Sequence, residues 1–412
     1  MSHSAAGVLA EFRPGQSIYI QGGVGEPLAL RDILATDPAV LAGAKLSGCL
    51  IPGMNEFDYT GLHPDARFVT FMLPAALRPG FEAGRVIVRP ASYSQIAAAF
   101  LSDPAFDLAI LQVTPPDASG LCSFGPCADF SPLVWPRARR RLAFVNTALP
   151  RASRGPTSPF SSIEHVVEID SPYINIDEPV AGDEQQSIAE RLAALIPDGA
   201  AIQTGIGGAP AVALARLGDR RDLVIRSGMV TPAYQVLAES GALAVHGHIT
   251  GLALGPDAFV RWAMNAFEFA DATVTHGAAS LIGVERLFAI NSALEVDLFG
   301  QANVEWRGGK LMSGLGGAPD FARAARRSPG GRAILALPAT AARGTVSRIV
   351  ARIDAPTVSI PRDDTDIVVT EQGVADLRGA TLDGRAQSLI SIAAPEHRDR
   401  LANQWEGMRR GL

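Results

Sequence analysis

Short runs of apolar and β-branched residues punctuate the chain, each bounded by Gly, Pro or charged positions. SIYIQ (17–21), RVIVR (85–89), DLAILQV (107–113) and LAFVN (142–146) lie in the first half. AIQT (201–204), LVIRS (223–227), LFAIN (287–291), AILAL (333–337) and DIVVT (366–370) lie in the second. Several are apolar at consecutive positions, the pattern of strands buried on both faces. Between them run helical spacings such as SIAERLAALI (187–196) and EHRDRLANQWEGMRR (396–410). The alternation predicts an α/β protein with largely parallel sheets. No apolar run is long enough to span a bilayer. The first residues, MSHSAAGVLAEFRPGQ, carry no export signal, so no membrane partner is expected.

An internal repeat organises this pattern. QGGVGEPLAL (21–30) and QTGIGGAPAVAL (203–214) align Gln21 with Gln203, Gly23 with Gly205 and Gly25 with Gly207. Each copy follows a predicted strand and enters a helical pattern. The offset is about half the chain, so two related α/β halves are predicted. Their division falls in the polar stretch IDEPVAGDEQQS (176–187), giving halves 1–182 and 183–412. Two packed halves create a cleft, a common seat for ligands.

Composition narrows the function classes. With 47% hydrophobic and 19% charged residues, disordered and fibrous architectures are excluded. A net charge of −6 argues against a nucleic-acid partner. The three cysteines, Cys49, Cys122 and Cys127, have no His at zinc-ligand spacing. They predict free thiols, no metal site and a cytoplasmic location.

Candidate chemistry resides in glycine-rich loops. QTGIGGAP (203–210) and SGLGGAPDF (313–321) each lead into a helical pattern. Amides exposed at a helix N-terminus suit a phosphate or pyrophosphate; a purely structural turn is the equal alternative. No GxSxG, HExxH or CxxC motif occurs. His246 and His248 have strand-like spacing and read as cleft-wall or surface residues rather than a metal pair. PRARRR (136–141) reads as a solvated basic edge, or as a greeting patch for a phosphate-bearing ligand.

The chain resembles the acetyl-CoA hydrolase/transferase family, which includes 4-hydroxybutyrate, butyrate and succinate CoA-transferases. The resembling segments are GIGGAPAVALARL (205–217), INSALEVDLFGQ (290–301), SGLGGAPDFARAA (313–325), LPATAARGTVSRIV (337–350) and VVTEQGVADLRG (368–379). GEPLAL (25–30), DLAILQVTPPDASGLCSFG (107–125) and VNTALPR (145–151) extend it into the first half. The resemblance implies a fold of two related α/β halves and a homodimer. It implies no permanently bound cofactor, with coenzyme A as substrate and product and a small carboxylate as acceptor. CoA contacts are expected at Gly205, Gly207, Gly208, Asn291, Gly314, Gly316 and Gly317.

In this family a glutamate attacks the acyl-CoA thioester, giving an acyl-glutamyl anhydride and CoA thiolate. CoA then forms a glutamyl thioester, which a carboxylate acceptor opens. Here the corresponding position in LVIRSGMVTPAY (223–234) falls on Gly228. The Asn that family members carry ahead of INSALEVD is also absent from THGAASLIGVERLFAI (275–290). Three readings follow. The first is CoA transfer using another carboxylate, with Glu26 and Glu56 as candidates. Their structural alternatives are a helix-start charge for Glu26 and a solvated loop residue for Glu56. The second is a thioesterase that uses water, and the third is an acyl-CoA-binding protein or subunit without turnover. Glu295 and Asp297 read as structural or CoA-side positioning residues.

Overall fold

The computed structural model describes residues 5–176, 182–205 and 207–411. The first half builds a seven-stranded sheet. Its spatial order is Val86–Val88, Arg67–Thr70, Lys45–Ser47, Ser17–Ile20, Leu108–Val113, Arg141–Asn146 and His165–Ile169. All of its pairings are parallel. The second half builds a six-stranded sheet. The order is Val224–Ile225, Ala201–Thr204, Leu287–Ser292, Arg332–Ala336, Ile367–Thr370 and Gly373–Asp376, with only the last pairing antiparallel.

Each of the nine predicted runs carries a strand. Leu108–Val113 is buried at every position, as expected for a central strand covered by helices on both faces. Four sheet strands escaped the sequence reading: Lys45–Ser47, Arg67–Thr70, His165–Ile169 and Gly373–Asp376. They are short or begin on a charged or polar residue, so their apolar signal is weak and the neighbouring strands supply the pairing. SIAERLAALI lies in helix Asp183–Leu195, and the C-terminal pattern forms helix Pro395–Arg409. Residues 177–181 of the predicted junction and Ile206 of the glycine loop lie outside the described residues.

The repeat occupies equivalent places in the two sheets. Gln21–Gly25 leaves strand Ser17–Ile20, whose neighbours are Lys45–Ser47 and Leu108–Val113. The second copy leaves Ala201–Thr204, flanked by Val224–Ile225 and Leu287–Ser292. At such a point the connections depart in opposite directions, and a crevice opens beyond the carboxyl ends of the strands. In the first half the protein fills this crevice. A Cβ on Gly22 would overlap the Cys49 carbonyl, and Asn55 Oδ1 accepts from Gly23 N at 3.0 Å. In the second half the crevice remains open.

The two halves are joined around that crevice. Leu73 N donates to Ser313 O at 3.2 Å and Tyr93 N to Gly316 O at 3.1 Å. Asp320, in the first turn of helix Ala318–Arg327, accepts from Ser92 Oγ (2.8 Å), Ser94 N (3.0 Å) and Ser94 Oγ (2.6 Å). Ala128 N donates to Gly251 O and Ala272 N to Asp129 O. These bonds place loops of the first half over the strand ends of the second.

Candidate active site

A cavity of about 370 Å³ occupies the open crevice. Gln203, Thr204, Gly205, Asn291 and Ser292 form its floor, at the carboxyl ends of two adjacent parallel strands. Gly314, Gly316 and Gly317 form one wall. Ile51, Met54, Met72 and Tyr93 cover it from the first half. The cleft inferred from the repeat is therefore a physical cavity lined by both halves.

The expected CoA-contact residues divide into two groups. Gly205, Asn291, Gly314, Gly316 and Gly317 line the cavity; Gly207 and Gly208 do not. Gly205 allows close packing, since a Cβ there would lie 2.6 Å from Asn291 Oδ1. Asn291 is held by a reciprocal amide pair with Gln203, at 3.0 and 3.2 Å. Gly316 has φ +59°, a left-handed conformation that glycine adopts without strain.

The candidate carboxylates lie elsewhere. Glu26 is fully buried in the first half, where it accepts from Arg31, Tyr59 Oη (2.7 Å) and Asn55 Nδ2 (2.8 Å). Its charge is neutralised within the crevice that the protein fills. Glu56 is exposed and accepts from Gly53 N at 2.9 Å, closing its own loop. Neither lines the cavity. Asp297 is buried and ties a turn through Phe299 N and Gln301, and Glu295 accepts from Asn303 Nδ2.

Other sequence candidates separate as well. His246 is exposed, whereas His248 is buried. His248 accepts from Ile225 N through Nδ1 and meets Ala244 O at 2.8 Å through Nε2. The structure separates them by exposure, and no group of three or more His, Cys, Asp or Glu that could hold a metal occurs among the described residues. The PRARRR stretch is spent on Asp107, Glu11 and Glu164, at the opposite end of its sheet from the cavity.

Gly228 lines the cavity, and so does His276. A Cβ on Gly228 would lie 2.6 Å from His276 Nε2, and one on Gly317 would lie 2.5 Å from Cδ2. Two glycines thus make the seat for one imidazole. Tyr93 (4.5 Å between ring centroids) and Phe321 (4.9 Å) pack against it. Burial lowers its pKa to about 3, so the ring is neutral through the physiological range. His276 and Tyr93 are the only titratable side chains among the described lining residues. Sequence reasoning passed over His276 because only tertiary packing brings it beside Gly228, 48 positions away.

A second buried group stands behind this wall. Asp129 is 5% exposed, and its Oδ1 has no hydrogen-bond partner among the described residues. Burial raises its pKa to about 7. Cys49, Cys127, Tyr19 and Tyr93 surround it, and burial holds each of them protonated.

Comparison with known proteins gives this cavity its context. The acetyl-CoA hydrolase/transferase N-terminal domain matches residues 3–180, and the C-terminal domain of that family matches residues 256–405. The 4-hydroxybutyrate coenzyme A transferase of Clostridium kluyveri is 32% identical over 394 residues, covering 93% of this chain and 92% of that protein. The chain belongs to the acetyl-CoA hydrolase/transferase family. RipA from Yersinia pestis superimposes with a TM-score of 0.89 at 28% identity, covering 99% of this chain and 97% of that one. A 4-hydroxybutyrate CoA-transferase from Porphyromonas gingivalis gives 0.81 at 28% identity, covering 100% and 98%. An acetyl-CoA hydrolase from Yarrowia lipolytica is 32% identical over 213 residues, 48% of this chain and 39% of that protein. The family thus holds both transferases and hydrolases of acyl-CoA. Residues 181–255, which include Gly228, fall between the two matched domains.

Proposed function

We propose that this protein cleaves acyl-CoA thioesters in the cavity between its halves, divided at 182/183, and passes the acyl group to water. One observation carries the reading: Gly228 lines the cavity, and no carboxylate stands among its described lining residues. Taken as the family's nucleophile position, Gly228 leaves no group to form a glutamyl anhydride or thioester. Gly205, Gly314, Gly316, Gly317 and Asn291 contact CoA, with Gly207 and Gly208 shaping the turn behind them. No Arg or Lys lines the cavity among the described residues, so nothing there would pair with a second carboxylate on the acyl group. The substrate is therefore an acyl-CoA whose acyl group carries no charge. CoA transfer to a carboxylate acceptor is the second reading, favoured by the activities named for the C. kluyveri and P. gingivalis relatives. The protein works as a cytoplasmic homodimer; light scattering at the 43.2 kDa monomer mass would refute the dimer.

The test follows free thiol and product acyl-CoA with and without carboxylate acceptors. Thiol release without an acceptor supports hydrolysis. Acceptor-dependent exchange replaces it with transfer, and CoA binding without turnover replaces both. A covalent CoA adduct on the 225–230 peptide would overturn the assignment of Gly228.

A further inference from the structure

We infer that His276 is the general base of this site, occupying the space of the absent glutamate side chain and activating water for attack on the thioester. The inference rests on the hydrolytic reading above. Its first support is steric. The imidazole lies where a side chain at position 228 would begin, and Gly317 is needed on the other flank. Replacing either glycine would displace the ring, so both are matched to His276.

The second support is the hydrogen-bond network. Thr275 Oγ1 lies 2.8 Å from His276 Nδ1 and 3.3 Å from the Asp271 carbonyl. A carbonyl oxygen can only accept, and one arrangement that satisfies both contacts directs the hydroxyl proton to Asp271. Oγ1 is then left to accept from Nδ1–H. That arrangement is the tautomer with the lone pair on Nε2, the one the inference requires. Nε2 lies beside the cavity-lining Gly228 and Gly317, and no described group hydrogen-bonds it. A water on Nε2 meets the acyl carbon of a CoA ester entering past the glycine wall.

The chemistry balances without further reactants. Water oxygen bonds to the thioester carbonyl carbon while its proton moves to Nε2. The tetrahedral intermediate collapses, the C–S bond breaks, and the CoA sulfur takes the proton back from Nε2. Free CoA and a carboxylic acid leave, and His276 returns to its neutral form. Thr275 is a positioning residue, acting only through the orientation of the ring.

Two measurements test this role. In heteronuclear NMR of histidine-labelled natural protein at neutral pH, His276 should show Nδ1–H and unprotonated Nε2. A proton on Nε2 overturns the base assignment. The second measurement is His276→Gln, which should lower kcat about tenfold to a hundredfold, the low end for general bases because burial holds the ring's pKa at about 3, well below the working pH. KM and calorimetric CoA affinity should be little changed. Retained affinity also reports that the variant is folded. A variant that keeps most of the natural turnover overturns the role while leaving hydrolysis intact. Absence of thiol release from the natural protein overturns the hydrolytic reading and the role together.

Discussion

Gly228→Ala adds a single methyl group where the His276 ring already lies. The new Cβ would stand 2.6 Å from Nε2, inside the 3.0 Å that real Cβ atoms respect. The ring is 4% exposed and wedged between Tyr93 and Phe321, so it cannot turn outward freely. Overpacking of this kind costs about 1–3 kcal/mol. Turning the ring also strains its bond to Thr275, worth about 1 kcal/mol. The reduced entropy of the unfolded chain offsets about 0.4–1 kcal/mol. The net loss is about 1–3 kcal/mol, by these same principles. Unfolding entropy of about 2.1 cal/mol/K per residue gives about 0.9 kcal/mol/K for the whole chain, so Tm should fall by about 1–4 °C. Scanning calorimetry on both backgrounds measures the effect. In His276→Ala the ring is gone, and the same Gly228→Ala change should leave Tm almost unmoved. The difference between backgrounds is the coupling energy of the pair. Equal shifts in the two backgrounds would refute the claim that Gly228 exists to seat His276. The clash also predicts that Gly228→Glu alone gains no acceptor-dependent transfer.

Three further outcomes are expected. Stability against pH should show two opposing contributions. His276 has its pKa lowered from 6.5 to about 3, so its contribution is full above 6.5 and is lost as pH falls toward 3. Asp129 has its pKa raised from 3.8 to about 7, so its contribution is full below 3.8 and is lost as pH rises toward 7. Between about pH 4 and 6.5 the two slopes cancel, each at most about 1.4 kcal/mol per unit. Against the natural protein, denaturant titrations across that window should gain a slope rising with pH in Asp129→Asn and one falling with pH in His276→Gln; an Asp129→Asn slope equal to the natural one would refute the raised Asp129 pKa. The buried thiols form the second outcome. Burial raises Cys49 and Cys127, and raises Cys122 to about 11, so dithionitrobenzoate should react with none of them before unfolding. Rapid colour from native protein would contradict this. Third, Glu26→Gln leaves Arg31 without its buried anion and should destabilise the first half by about 2–3 kcal/mol, below the 3–5 of fully buried pairs because Arg31 is partly exposed. CoA affinity by calorimetry should stay unchanged; its loss would return Glu26 to the site.

Strand positions were legible because consecutive apolar residues mark strands buried on both faces, as in Leu108–Val113. The repeat was legible because a tight exit from a central strand needs glycine in both halves. It pointed to a cleft between the halves. The segments INSALEVDLFGQ and TEQGVADLRG carried the family. What the sequence left open was which of the two equivalent crevices is empty. Both copies of the repeat have the same local form, yet Cys49, Asn55 and Cys127 fill the first, and residues 313–317 wall the second. That difference arises from contacts between segments far apart in the chain. Glu26 shows the same limit: a lone Glu beside a glycine turn reads alike as nucleophile or ion-pair partner until Arg31 and Tyr59 are seen to surround it. Local pattern determined the strands and the glycine loops, since backbone geometry is a local property. The meeting of Gly228, Gly317 and His276 was decided by packing alone, because three residues from separate loops share one small volume only after both sheets are in place.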